Sequence, residues 1–300
     1  MDDRAKYQER LAGLLDEIAV GEGLQPTTVG GVHVFRGSQS VPRAPMVYRP
    51  HIIVVGQGRK RAYLGGEVYQ YDPANYLVLA VPLPAECDAE TDSGKPILMV
   101  NVDVDATMVA EMLLEIDDAS PNAEGTPRGI SSTPMAPELG ESVVRLLECL
   151  RCPVDSRLLG RQLVREVVYR VLRGEQGGAL RALASRDDHF TRIARVLKHI
   201  HSDCAKQFDV EELARKAGMS PSVFHHHFKL VTASSPLQYI KRIRLDRAKA
   251  LMGLDGYNAG SAARAVGYES ASQFGREFKR LFGVTPVEEA ERTRSRLIAG

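Results

Sequence analysis

Nowhere in the 300 residues does an apolar run approach the ~18 uncharged residues that a membrane span needs. The opening MDDRAKYQERLAGLLDEIAV carries charge throughout, where a secretory leader has an apolar core. Both absences argue against a membrane partner and for a cytoplasmic location. Cysteine is scarce too: Cys87, Cys149, Cys152 and Cys204 are too few and too scattered for a disulfide framework, which fits a reducing compartment. Cys149 and Cys152 form a C-x-x-C, and on one helix their spacing would put both thiols on one face. No second C-x-x-C and no H-x-x-x-H completes a tetrahedral zinc site, and no βαβ pattern surrounds the pair.

An excess of charge of either sign is also missing, with 39 Lys plus Arg against 38 Asp plus Glu and a net +1. That balance speaks against a polyanionic partner only as an average. Residues 1–184 hold 19 basic and 25 acidic side chains, net −6, whereas residues 185–300 hold 20 and 13, net +7. The asymmetry points to nucleic acid at the C-terminal end.

Between Val32 and Val104 the segments VHVFR, YRPHIIVV, RKRAYL, EVYQY, NYLVLAV and ILMVNVDV are rich in Val, Ile, Tyr and Leu, and read as short strands. Gly65-Gly66 supplies the positive φ angles of a tight hairpin between two of them. Strands this close, with no helix between, predict a small antiparallel β-barrel or sandwich. Helical periodicity precedes them from Tyr7 to Val20 and resumes in DATMVAEMLLEI, ELGESVVRLLECL and DSRLLGRQLVREVVYRVLRG, with a Pro/Gly/Ser-rich loop predicted from Asp117 to Pro137. The helices over 138–173 are candidates for a dimer contact. A domain boundary is expected near 180–188, giving domains 1–184 and 189–293.

The second domain reads as helices alone. Two of its segments match: ELARKAGMSPSVFHHHFKLV (212–231) and AARAVGYESASQFGREFKRLFG (262–283). Each has a helix with small core residues, a glycine for the turn, a serine cap and a helix carrying two Phe four apart, which is what a helix-turn-helix requires. The Phe pairs pin each second helix inward and leave the opposite face free. On the first that face holds Ser222, His225, His226 and Lys229. On the second it holds Ser270, Ser272, Gln273, Arg276, Lys279 and Arg280. Arg reads guanine, Gln reads adenine, and Lys and hydroxyls suit phosphates. Between the units, PLQYIKRIRLDRAKALM forms a long basic helix that would hold the reading helices about one DNA turn, ~34 Å, apart. His225-His226-His227 point about 100° apart around a helix and cannot share a metal.

With these motifs, residues 193–293 resemble the DNA-binding domain of AraC/XylS-type transcriptional regulators; one departure is Ala262, where the family commonly has isoleucine. More loosely, RPHIIVVGQGRKRAYLGG, YDPANYLVLAVPLPAE and KPILMVNVDVDATMVAEML resemble the cupin-like N-terminal domain of one AraC subgroup. The resemblance implies an α+β chain: an N-terminal antiparallel barrel with flanking helices that binds a small effector, then an all-α double helix-turn-helix domain. It further implies double-stranded promoter DNA as partner, RNA polymerase if the chain activates, a possible homodimer, and no cofactor.

Polar or aromatic residues in the strand segments, Arg36, Arg49, His51, Tyr63 and Tyr76, are the candidate effector anchors. An alternative is a redox or electrophile sensor using Cys87 or Cys149 with Cys152. A cupin enzyme is disfavoured, because His33 and His51 lie far apart and no H-x-H opens a metal site. No catalytic residue is expected.

Overall fold

The computed structural model describes residues 3–92, 94–116, 126–175, 177–184, 189–253 and 255–291. Two units separate by internal contacts, residues 1–43 with 48–191 and residues 192–300 with 44–47.

Helix α1 (Asp3–Ile18) precedes strands β1 (Gly23–Pro26), β2 (Val32–Gly37), β3 (Val41–Tyr48), β4 (His51–Gln57) and β5 (Arg59–Leu64). Then come β6 (Glu67–Tyr71), β7 (Asn75–Leu79), β8 (Leu83–Glu90) and β9 (Ile97–Asp103). Helix α2 (Ala106–Ile116), strand β10 (Ile130–Pro134) and helices α3 (Pro137–Leu150), α4 (Pro153–Arg173) and α5 (Gly178–Ala184) follow. The strands form a six-stranded sheet in the order β1-β2-β9-β4-β7-β10 and a four-stranded sheet β3-β8-β5-β6.

The apolar runs of β4 and β9 sit at the centre of the larger sheet, buried on both faces. Helix α1 covers one of those faces. Gly56 permits its close approach, since a Cβ there would lie 2.7 Å from Leu15 Cδ1 and 3.3 Å from the Ala12 Cα. Gly65 and Gly66, at φ 61° and 85°, turn β5 into β6, with Leu64 opposite Glu67.

The two sheets do not close into the barrel that the cupin-like resemblance implies. Closure needs hydrogen-bonded partners on both sides of every strand, and three of the four edge strands contain proline, which has no N–H to donate. Pro26 ends β1, Pro42 and Pro45 lie in β3, and Pro134 ends β10. The segment read as a loop from Asp117 to Pro137 also contains β10, whose Ser132 and Thr133 pair with Leu77 and Tyr76 of β7.

From His189 onward, the described elements are helices: α6 (His189–Ser202), α7 (Val210–Lys216), α8 (Pro221–Thr232), α9 (Pro236–Gly253), α10 (Ala259–Ala265) and α11 (Ala271–Phe282). Proline at position one and serine before it start α8, while α11 ends at Gly283 with φ 76°. No helix among the described residues is long and apolar enough to cross a membrane.

Candidate nucleic-acid interface

Both helix-turn-helix units carry the same local devices. Gly218 (φ 63°) and Gly267 (φ 84°) make the turns. The Ser220 hydroxyl accepts from the Val223 amide and the Ser270 hydroxyl from the Gln273 amide, capping α8 and α11. Phe224, Phe228, Phe274 and Phe278 are at most 2% exposed, so each pair fixes the rotation of its helix. Phe228 packs edge-on against Tyr239 of α9 with ring centres 5.4 Å apart. Tyr268 packs edge-on against Phe274 at 5.3 Å. Ala262 is fully buried beside Ala263, Val266 and Phe278, so the small side chain leaves it no less enclosed.

This rotation leaves Ser222, His225, His226 and Lys229 exposed on α8, and Ser272, Gln273, Arg276, Lys279 and Arg280 exposed on α11. Ser270 is half-buried and committed to its cap, with its hydroxyl 2.9 Å from that of Ser272. Gln273 is engaged as well, donating from Nε2 to Glu277 Oε1 at 3.2 Å. Glu277, absent from the sequence-based candidates, is the hub of this helix. It accepts from Lys241 Nζ of α9 at 2.9 Å and from the Tyr268 hydroxyl at 2.7 Å. Burial pushes its carboxyl pKa up, but the bonds from Lys241, Tyr268 and Gln273 outweigh this and hold it below the ordinary value. An acid seven residues past the Ser270 cap, facing a lysine on the preceding long helix, is the sequence signal that would have exposed it.

The basic charge of the connector α9 is largely spent inside the domain. Lys241 pairs with Glu277 and Lys249 with Glu289 at 3.0 Å, while Arg244 donates to the carbonyls of Cys204 and Lys206 at 2.8 Å each. The side chains exposed on α8 and α11 therefore carry the free donors that a phosphate or base edge would meet.

In the first unit, the five candidate anchors do not share one surface. Arg36 lies on the face covered by α1, donating to the Ala19 carbonyl at 2.6 Å. Tyr76 lies on that face also, its hydroxyl near Gly174 at the end of α4. Tyr63 is on the outer face of the smaller sheet, bonded to Asp88 at 2.6 Å and stacked under Arg43. Arg49 is exposed. Only His51 turns between the sheets, its Nδ1 2.9 Å from Asp103 Oδ1; burial lowers its pKa, with Asp103 opposing. A separate cavity of about 570 Å³ opens beside β6, β10 and α5, lined by Tyr69, Gln70, Arg128, Ser132 and Glu175.

Cys149 and Cys152 do not share a helix, so the condition for both thiols to lie on one face is not met. Cys149 belongs to α3 and Cys152 precedes Pro153, which starts α4, because a residue before proline is driven out of the helical region. All four cysteines are free, and Cys87 and Cys149 are buried. Burial also pushes the Cys149 thiol pKa up. Among the described residues no cluster of His, Cys, Asp and Glu is arranged to hold a metal.

Residues 28–179 match the family described as AraC-type transcriptional regulator N-terminus, and residues 213–292 match a helix-turn-helix domain. A putative AraC-like transcription regulator of Streptomyces lividans is 33% identical over 94 residues, 31% of each chain. The RCS-specific HTH-type transcriptional activator RclR of Escherichia coli K12 is 33% identical over 103 residues, 34% of this chain and 36% of its own. These alignments thus span about a third of the relatives' length. An apo structure of ToxT from Vibrio cholerae superimposes with a TM-score of 0.60 at 11% identity, covering 90% of this chain and 98% of that one. ToxT with unsaturated fatty acid bound gives 0.54 at 12% identity, covering 86% and 94%. At such identity the likeness is one of fold.

Proposed function

The chain belongs to the AraC family of transcriptional regulators, which are not enzymes, and on that premise we propose that it is a sequence-specific regulator answering to a small molecule. Residues 189–293 read double-stranded promoter DNA. Residues 1–184 bind the effector and bias that reading, by no more than its difference in affinity for the two arrangements. The observation that carries this is the pair of serine-capped, Phe-locked helices whose exposed faces bear His225, His226 and Lys229, and Gln273, Arg276, Lys279 and Arg280. That ToxT, similar in fold, has been solved with unsaturated fatty acid bound supports a small-molecule effector. Exposed Val154, Leu158 and Leu159 on α4 support a homodimer contact. RNA polymerase is a partner if the protein activates. The burial of Cys87 and Cys149 favours a bound effector over thiol oxidation as the signal.

Genome-wide footprinting in cells tests the reading. A small set of promoter sites whose occupancy changes with growth substrate is expected, and diffuse occupancy without sequence preference would overturn it.

A further inference from the structure

Lys60 is 8% exposed, yet among the described residues it has neither a carboxylate partner nor a hydrogen bond. Its neighbours are aromatic and thiol groups. The ammonium lies 5.0 Å from the Phe35 ring centre. Burial lowers its pKa, and Cys87 supplies the opposing electrostatic contribution. An isolated buried ammonium is costly unless a counter-charge arrives.

Strand register places this amine between the sheets. On β5, Lys60 and Ala62 stand opposite Ala89 and Cys87 of β8, and Lys60 stands opposite Tyr71 of β6. The Tyr71 hydroxyl is 2.9 Å from that of Tyr48 and 3.7 Å from Cys87 Sγ. On the facing sheet Phe35 pairs with Met99, and Asn101 lies two residues on, hence on the same face. Asn101 is 6% exposed and its Oδ1 is buried without a hydrogen bond. Facing inner surfaces thus hold an unpartnered cation and an unpartnered acceptor, and the small side chains of Ala62, Cys87 and Ala89 surround the cation. Packed sheets stand about 10 Å apart, the reach of a short organic acid. In the cavity beside β10, by contrast, Arg128 is already paired with Glu67 and Tyr69.

We propose that the space between the sheets at Lys60 and Asn101 binds a small carboxylic acid with an apolar body, its carboxylate on the Lys60 ammonium and a hydroxyl donating to Asn101 Oδ1. This inference rests on the N-terminal domain being the effector domain, and names the class of effector.

The test measures binding to the full chain by calorimetry with four probes: hexanoate, its terminal hydroxy derivative, hexanol and hexylamine. The hydroxy acid is expected to bind best and hexanoate next, with the alcohol and amine far weaker. Lys60→Met, which keeps the length of the side chain and removes the charge, should weaken acid binding about 10- to 100-fold. Asn101→Leu should erase the advantage of the hydroxy acid over hexanoate. Acids binding no better than hexanol, Lys60→Met binding like the parent, or no acid binding at millimolar concentration would each overturn the proposal. Promoter affinity measured with the same probes separates the two readings. Acid binding at Lys60 that leaves DNA affinity unchanged sinks the effector reading and keeps the site. A neutral probe that changes DNA affinity equally in parent and Lys60→Met does the reverse.

Discussion

Gly218 and Gly267 occupy equivalent turns with positive φ, yet the cost of adding a methyl group to each differs, and the difference can be worked out. Either alanine takes on a left-handed backbone, about 1–2 kcal/mol for an L-residue. At Gly218 the added Cβ would meet only Arg192 Nη1 at 3.3 Å, the movable end of a long side chain. At Gly267 it would lie 2.3 Å from the Ala205 carbonyl oxygen and 3.0 Å from its carbon, so backbone must shift. Forcing such a shift in packed structure adds about 1–3 kcal/mol. Gly218→Ala should therefore cost about 1–2 kcal/mol and Gly267→Ala about 2–5 kcal/mol. For a domain of this size 1 kcal/mol moves the midpoint by about 4–8 °C. Differential scanning calorimetry of the full chain should show the transition of the C-terminal domain falling roughly twice as far for Gly267→Ala as for Gly218→Ala. Equal shifts, or a larger one at Gly218, would refute the reasoning, because the backbone strain is common to both and only the Ala205 carbonyl distinguishes them.

Arg276→Ala should weaken binding to the preferred operator by about 1–3 kcal/mol and relax preference at one base pair, read in a selection from random DNA. Lys279→Ala should weaken all sequences alike and reduce the slope of log affinity against log salt by about 1. Glu277 has a folded pKa below its ordinary 4.5, so its contribution to stability is present above that value and lost as pH falls through the lowered one. Glu277→Gln should cost about 1–3 kcal/mol at neutral pH and flatten the acid limb of a stability profile measured by urea unfolding; an unchanged acid limb would show that the Lys241 and Tyr268 bonds contribute nothing. Replacing Cys87, Cys149 and Cys152 together by Ser should leave the response of target promoters to oxidants and aldehydes as it was, since Cys87 and Cys149 are buried away from such reagents; a response present in the parent and lost in the triple variant would revive the thiol reading.

Local chemistry made the C-terminal half legible. Each helix-turn-helix declares itself within some twenty residues through a glycine, a serine cap and two Phe on one face, and all three devices act over the same short stretch of chain. The sheets were less readable, because strand order is set by non-local pairing. Nothing near β7 says that it joins β4 on one side and β10 on the other, and ISSTP, with two serines and a proline, has little strand propensity of its own. Strand spacing alone does not separate a closed barrel from two sheets; the prolines of β1, β3 and β10 do, because they mark edges. Lys60 was hidden by its type. Alternation along RKRAYL puts Lys60 with Ala62 and Leu64 and sets Arg59, Arg61 and Tyr63 opposite, but a lysine is assumed to face water. Similarly, the aromatic and charged side chains chosen as anchors were mostly those that hold helices to the sheet or decorate its outer face, as Arg36 and Tyr63 do.

The central claim, that α8 and α11 both read DNA, is tested most directly by methylation-interference and hydroxyl-radical footprinting of the purified full chain on a promoter taken from the genomic sites. Two major-groove contact segments on one face of the duplex are expected, centred about 10–10.5 base pairs apart, with guanine contacts in one segment lost in Arg276→Ala. A single segment, or two whose protection is indifferent to substitutions on α8 and α11, would contradict it.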